Sequence, residues 1–128
     1  MREILFRGKR VDNGEWVEGA LYSYYDFKRT IVQILTDRTN GIPDAYEVIP
    51  ETAGQFTGLT DKNGKKIFEG DIVKGTFLGF PIPIENFVIT IGWQEDVAGY
   101  KANYFENVEV IGNIHDNPEL LKEGIDND

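Results

Sequence analysis

Residues 55–74 constrain the fold of this 128-residue chain more than any other segment, because they hold its two strongest turn signals. The first signal, Asp61-Lys62-Asn63-Gly64, separates the β-prone residues 56–60 from the apolar pair Ile67-Phe68. We expect Asn63 and Gly64 to adopt the positive φ angles that a tight hairpin turn requires. The segment therefore predicts a β-hairpin near the middle of the chain.

Short β-prone runs separated by turn residues make up most of the chain. A second corner is predicted at Glu69-Gly70-Asp71, because Gly70 has no Cβ to resist a left-handed bend. Near the end, Asp116 or Asn117 is suited to cap a helix and Pro118 to occupy its first position. The other predicted strands cover residues 4–7, 15–24, 31–36, 46–49, 72–73, 87–93, 100–105 and 107–114. Together these elements predict an all-β fold, as a small barrel-like or strongly bent antiparallel sheet with a short C-terminal helix.

Length and composition predict one domain that is stable without a disulfide or a metal ion. The chain has no cysteine, which removes disulfides, thiol catalysis and cysteine-based zinc sites. No signal peptide is recognisable, and no apolar run approaches the roughly 20 residues that cross a bilayer. We expect a single domain over residues 1–122, a disordered acidic tail over residues 123–128, a cytoplasmic location and no membrane partner.

The net charge of −9 is unevenly distributed: residues 1–40 sum to +1 and the remaining residues sum to −10. An acidic surface repels phosphate backbones, so direct nucleic-acid binding is not expected. One interpretation makes the acidic face a decoy of DNA or a dock for a basic protein. The favoured interpretation is that the charge keeps a small protein soluble.

The inventory of catalytic residues is poor. His115 is the only histidine and Ser23 the only serine, so a nucleophilic triad would depend on one possible base, and we expect His115 to hydrogen-bond the corner before the helix. Asp61, Glu69 and Asp71 form the one carboxylate set that suggests a divalent-metal site, with turn capping as the favoured role. No phosphate-binding glycine loop is present, and no cofactor is predicted.

Two apolar segments are candidate interaction surfaces. Residues 77–84 are almost wholly apolar but contain two prolines that exclude a central strand, and Phe77, Phe80, Ile82 and Ile84 are the predicted contact residues. A second set consists of Trp16, Tyr22, Tyr24, Tyr25 and Phe27. This second set is interpreted as core, with an aromatic binding surface as the alternative.

Three stretches resemble the YopX-like family. They are Phe6-Arg7-Gly8-Lys9-Arg10 leading to Gly14-Glu15-Trp16-Val17-Glu18-Gly19, the segment Gln55-Phe56-Thr57-Gly58-Leu59-Thr60-Asp61-Lys62-Asn63-Gly64 continuing to Glu69-Gly70-Asp71-Ile72-Val73, and Val110-Ile111-Gly112-Asn113-Ile114-His115-Asp116-Asn117-Pro118. The resemblance implies a mostly β protein encoded by bacteriophages or prophages, with no established activity and no catalytic residues to transfer.

The leading hypothesis is a non-enzymatic phage or prophage accessory protein that acts through protein contacts, with itself as the first partner, in the cytoplasm of a bacterial host. The alternatives are a metal-dependent carboxylate hydrolase or nuclease built on Asp61, Glu69 and Asp71, and an acidic decoy of a DNA-binding protein.

Overall fold

The computed structural model describes residues 4–36, 44–78, 81–92 and 105–121. The chain divides into two compact units, Met1–Phe56 and Thr57–Asp128. The strands are β1 (Phe6–Lys9), β2 (Trp16–Asp26), β3 (Arg29–Thr36), β4 (Asp44–Glu47), β5 (Gly54–Thr60), β6 (Lys66–Phe68), β7 (Asp71–Phe77), β8 (Ile84–Thr90) and β9 (Phe105–Asn113), with a 3-10 helix at Pro50–Thr52. The predicted all-β class is confirmed.

The first unit is an antiparallel sheet in the order β4-β3-β2-β1, with the first residues of β5 beside β1. The turn that joins β1 to β2 lies between the strands predicted at residues 4–7 and 15–24. Gly14 has a φ of 74°, and the Asn13 side-chain oxygen accepts a hydrogen bond from the Glu15 N–H at 3.0 Å. A second bond, from the Arg10 N–H to the Glu15 carbonyl at 2.8 Å, closes the turn.

This sheet is strongly bent, because the chain after β4 returns to the end of β1. The Ile49 N–H donates to the Lys9 carbonyl at 2.8 Å, and the Val11 N–H donates to the Glu47 carbonyl at 3.0 Å. Val48 is completely buried against Gly8, where a Cβ would lie only 2.8 Å from the Val48 Cγ2 atom. Of the two predicted forms, the bent sheet is observed, and the described strands do not close into a barrel.

The second unit contains the three-stranded antiparallel sheet β8-β7-β9 and the hairpin that leads into β6. Its core consists of Ile67, Val73, Ile89, Ile91 and Phe105, with Leu59, Phe87, Val108 and Val110 packed against them. Phe77 stacks on Phe87 with 5.2 Å between ring centroids and meets the edge of Phe105 at 6.4 Å. These three rings form an aromatic cluster at one end of the sheet.

One predicted detail of the second unit is wrong. In the central hairpin turn Gly64 has a φ of 82°, but Asn63 does not have a positive φ, because a five-residue loop closed by the Asp61 side chain replaces the tight two-residue turn. The strand predicted at residues 107–114 is observed as β9, which begins at Phe105 and takes up Asn107 at a φ of 57° in an irregularity of the β7–β9 register. The strand predicted at residues 100–105 is described only at Phe105. Residues 100–104 lie outside the described residues.

The end of β9 turns into the predicted helix start. The Asn113 side-chain oxygen accepts hydrogen bonds from the N–H groups of His115 and Asp116 at 3.0 and 2.9 Å, so His115 takes part in the corner through its backbone as expected. Helical residues begin at Glu119, and residues 122–128, which include the predicted tail, lie outside the described residues. Within the described part of the chain, no helix is long and apolar enough to cross a membrane.

Candidate protein-interaction surface

The most exposed aromatic side chains of the first unit lie on the hairpin of β2 and β3. All residues from 20 to 30, called the aromatic arm below, are exposed. The exposed fraction is 92% for Phe27, 72% for Tyr25, 52% for Tyr22 and 42% for Tyr24. Such an uncovered aromatic group is uncommon on a monomer surface and marks a contact site more often than a scattered single side chain does.

The favoured core interpretation is therefore wrong for Tyr22, Tyr24, Tyr25 and Phe27. The physical reason is where β1 stops: it pairs with β2 only as far as Gly19, so residues 20–26 of β2 have β3 as their one neighbouring strand among the described residues. Trp16 lies below this point and is half-buried, with the Arg7 guanidinium carbon 4.8 Å from its ring centroid. Trp16 is thus part of the sheet's packing and the other four aromatics are not.

Both faces of the arm carry exposed apolar side chains. Tyr22 and Tyr24 lie on one face, with 5.8 Å between their ring centroids and a tilt of 39°. Strand alternation directs Leu21 and Tyr25 to the opposite face. A two-stranded ribbon is marginally stable in water without an apolar face packed on something else. The arm therefore has two faces that a partner can cover.

The tip of the arm breaks the local rule for hairpin turns. Asp26 and Arg29 are paired, so Phe27 and Lys28 form a two-residue turn, and the Lys28 N–H donates to the Asp26 carbonyl. Phe27 has a φ of 48°, a conformation that such turns normally assign to Gly, Asn or Asp. A bulky residue held there costs on the order of 1 kcal/mol or more. Because Phe27 is also almost fully exposed, it gains little packing in its own chain to offset this strain.

An ion pair on the surface connects β3, directly after the turn of the arm, to β4. The Arg29 Nη1 atom lies 2.8 Å from the Glu47 Oε2 atom. This side-chain hydrogen bond and the charge of Glu47 raise the pKa of Arg29 above its ordinary value. The pair links β3 to β4 next to the turn, and because both side chains are partly exposed its contribution to stability is small.

The predicted apolar loop gives a smaller exposed surface. Phe77 is half-buried in the aromatic cluster, and Phe80 lies outside the described residues. Ile82 is 78% exposed and Ile84 is 37% exposed. Of the four predicted contact residues, Ile82 and Ile84 are the ones that the structure describes as exposed. Their contact role stays a prediction.

The carboxylates of the alternative metal site are bonded to backbone donors. Asp61 accepts hydrogen bonds from the N–H groups of Asn63 and Lys65 on Oδ1 and from that of Val110 on Oδ2, each at 2.9 Å. Burial alone would raise the pKa of Asp61, but these three backbone hydrogen bonds and the Lys65 charge hold it below its ordinary value. Asp61 is thus ionised at neutral pH and ties the hairpin turn to β9.

Asp71 has a comparable structural role. It is 1% exposed, and its Oδ2 accepts a hydrogen bond from the Phe68 N–H at 2.7 Å, which closes the corner at Gly70. The favoured turn-capping role is therefore observed for Asp71, and Glu69 beside it is half-buried. Among the described residues, no group of three or more His, Cys, Asp or Glu side chains is arranged to hold a metal ion.

The chain is similar to a protein family and to a solved structure. A family model described as YopX protein matches residues 5–122. Among solved structures, the chain is similar to the crystal structure of protein EF1440 from Enterococcus faecalis, with 23% sequence identity over 94% of this chain and 99% of that chain, and a TM-score of 0.45. No curated protein matches the sequence.

Proposed function

Because the chain belongs to the YopX family, we propose that it is a phage or prophage accessory protein that acts in the bacterial cytoplasm without catalysis, by binding a protein on its aromatic arm. The phage origin rests on the family resemblance. The binding role rests on one observation above all, the exposure of Phe27 in a strained backbone conformation.

A strained and exposed aromatic at a turn is informative because selection for stability alone would replace it. Gly or Asn would occupy the Phe27 position with less strain. Phe, however, supplies a large apolar surface that a partner can bury, and aromatic residues are enriched at the centres of protein interfaces. Phe27, with Tyr24 and Tyr25 on the two faces next to it, is therefore proposed as the principal contact residue.

The composition of the arm supports the same role. Four of the eleven residues of the arm are Tyr or Phe, in a chain where 12% of all residues are aromatic. Enrichment of Tyr and Phe is typical of an interface core. The carboxylates of Asp61 and Asp71 serve the fold through backbone hydrogen bonds, which favours a binding role over a metal-dependent hydrolytic one.

Site-specific photocrosslinking in bacterial cells tests the proposal. A benzophenone-bearing phenylalanine analogue is placed at Phe27 and, as the matched control, at Val11, which is 54% exposed in the turn between β1 and β2. We expect protein adducts from position 27 and none from position 11. The adduct should disappear when Tyr25 is changed to Ser in the same chain. No adduct at position 27, both in cells and with concentrated purified protein, would overturn the proposal.

A further inference from the structure

The turn between β1 and β2 and the central hairpin turn contain the same dipeptide, Asn-Gly. The copies are Asn13-Gly14 and Asn63-Gly64, and all four residues are exposed. An asparagine side chain is open to attack by the backbone nitrogen of the next residue, and glycine hinders that approach least because it has no Cβ. The two sites match in sequence, so a difference in their reactivity in the folded protein reports the fold. A third copy, Asn40-Gly41, lies outside the described residues.

The attacking nitrogen is restrained equally at the two sites. The Gly14 N–H donates a hydrogen bond to the Arg10 carbonyl, and the Gly64 N–H donates one to the Asp61 carbonyl, each at 3.0 Å. Both glycines have a left-handed φ, 74° for Gly14 and 82° for Gly64. Each nitrogen must leave its hydrogen bond before it can react, so this restraint does not distinguish the sites.

The N–H group two residues after the asparagine does distinguish them. The Glu15 N–H donates to the side-chain oxygen of Asn13 at 3.0 Å. This bond closes a ring that contains both the Asn13 Cγ atom and the Gly14 nitrogen, so it holds the side-chain amide beside its attacker. The same N–H stabilises the negative charge that develops on the Asn13 oxygen when the nitrogen adds to Cγ, as an oxyanion-hole donor does.

In the central hairpin the equivalent donor is occupied. The Lys65 N–H donates to the Asp61 Oδ1 atom at 2.9 Å, and the Asn63 N–H donates to the same atom at 2.9 Å. The Lys65 N–H is therefore directed at the carboxylate and does not stabilise charge on the Asn63 side chain. Asp61 also fixes the peptide groups on both sides of the Asn63-Gly64 bond.

We propose that Asn13 is a deamidation site of the folded protein and that Asp61 protects Asn63 from the same reaction. The Gly14 nitrogen loses its proton to hydroxide and bonds to the Asn13 Cγ atom. The Cγ–Nδ2 bond then breaks, and ammonia leaves after taking a proton from water. The product is a cyclic imide.

Water completes the reaction by opening the imide. Cleavage between Cγ and the Gly14 nitrogen leaves aspartate at position 13, and cleavage between the backbone carbonyl and that nitrogen leaves isoaspartate. The net change consumes one water, releases one ammonia and needs no oxidant or reductant. The inference is independent of the aromatic arm and of its partner.

The modification changes the turn in one direction only. Either product adds a negative charge between Asp12 and Glu15. Isoaspartate also lengthens the main chain inside the loop that is closed by the 2.8 Å hydrogen bond from the Arg10 N–H to the Glu15 carbonyl. We therefore expect the modified chain to hold the end of β1 against β2 less firmly.

Peptide mass spectrometry of the natural chain tests the inference without any variant. The folded protein is incubated in mildly alkaline buffer, and the deamidated fraction at positions 13 and 63 is followed with time. We expect position 13 to react at least about tenfold faster, the rate effect of one hydrogen bond to a developing charge. In guanidinium chloride, which unfolds both turns, the two positions should react at similar rates. Equal rates in the folded chain, or the same tenfold difference in guanidinium chloride, would overturn the inference.

Asp61→Ala tests the protective role separately. The substitution frees the Lys65 N–H, so position 63 should react several-fold faster in the variant, whereas position 13 should keep its rate and serves as the control within the same molecule. Circular dichroism under the reaction conditions verifies that the variant is folded. An unchanged rate at position 63 in the folded variant contradicts the role of Asp61. If the variant is unfolded, the comparison of positions 13 and 63 in the natural chain decides alone.

Discussion

The aromatic arm of the first unit and the three-stranded sheet of the second contain the same kinds of residue in opposite settings. Phe105 in β9 is 6% exposed and contacts Phe77 and Phe87, whereas Phe27 at the tip of the arm is 92% exposed. The second unit turns its tight corners at Gly64 and Gly70, with φ angles of 82° and 90°. The arm turns at Phe27. In the second unit, the residues at positive φ angles named here are glycines, which favour that conformation. In the arm, the residue at a positive φ is Phe27, which makes the fold less stable than glycine would.

This difference distinguishes residues that stabilise the fold from residues that the fold does not require. Consistency between local preference and tertiary packing is expected wherever stability is the only demand. A position that breaks the local rule without a compensating contact in its own chain points to a demand from outside. The following variants test whether the two regions differ in this way.

The largest expected difference comes from the same truncation in both regions. Phe105→Ala should lower the free energy of unfolding by about 3–5 kcal/mol, because it leaves a cavity between Phe77 and Phe87 in a core that cannot fully collapse. Phe27→Ala should change it by less than about 0.5 kcal/mol, as for an exposed residue. Urea unfolding of both variants at low protein concentration measures the difference. Equal losses would show that the arm is part of the folded core.

Asp61 provides the next test, because its side chain is a structural part of the second unit. Asp61→Ala removes the acceptor of three backbone N–H groups and should cost roughly 2–3 kcal/mol. Asp61→Asn keeps one carbonyl acceptor and should cost less. The arm offers a matched polar control, Asp26→Asn, which should be nearly neutral in the same urea experiment. A neutral Asp61→Ala would mean that these bonds contribute nothing to stability.

The pH dependence of stability follows from the same residue. The pKa of Asp61 is lower in the folded protein than its ordinary value of 3.8, so its contribution is fully present above that value. As the pH falls through the folded pKa, the carboxylate is protonated in both states and this contribution is lost. The free energy of unfolding measured from pH 6 to pH 2.5, a range that brackets the ordinary aspartate pKa of about 3.9, should therefore fall less steeply for Asp61→Asn than for the natural chain. Parallel curves would contradict the assignment.

Much of the second unit is predictable from the sequence because its signals are local. Gly64 and Gly70 mark their corners without reference to the rest of the chain, and the alternation of residues 87–91 predicts the buried face of β8. The contact from Asp61 to the Val110 N–H joins residues 49 apart, and no local pattern indicates it. The sequence therefore identifies Asp61 as a turn residue but not as a link between the hairpin and β9.

The arm is not predictable for a related reason. Apolar residues on both faces of β2, such as Tyr24 and Tyr25, are as typical of a strand buried on both sides as of an exposed interaction strand. The deciding fact is that β1 stops pairing at Gly19, which depends on tertiary structure. One local signal was present: Phe27-Lys28 occupies a two-residue turn between β-prone runs, where glycine or asparagine is expected.

The smallest expected effect is an increase in stability, which is unusual for a single substitution. Phe27→Gly should raise the free energy of unfolding by about 0.5–1 kcal/mol. The substitution relieves the positive-φ strain at the tip, and this gain is larger than the loss from the greater entropy of the unfolded chain.

Gly64→Ala is the reverse change in the second unit. It should lower the free energy of unfolding by about 1 kcal/mol, although no atom lies within 4 Å of the added Cβ.

With the benzophenone-bearing residue placed at Tyr24 instead, the Phe27→Gly protein should give less protein adduct than the chain that keeps Phe27. A variant that is both more stable and unable to bind would show that Phe27 is retained for a contact outside its own chain. If Phe27→Gly were destabilising, the tip would instead be packed within its own chain, and the contrast between the two regions would not hold.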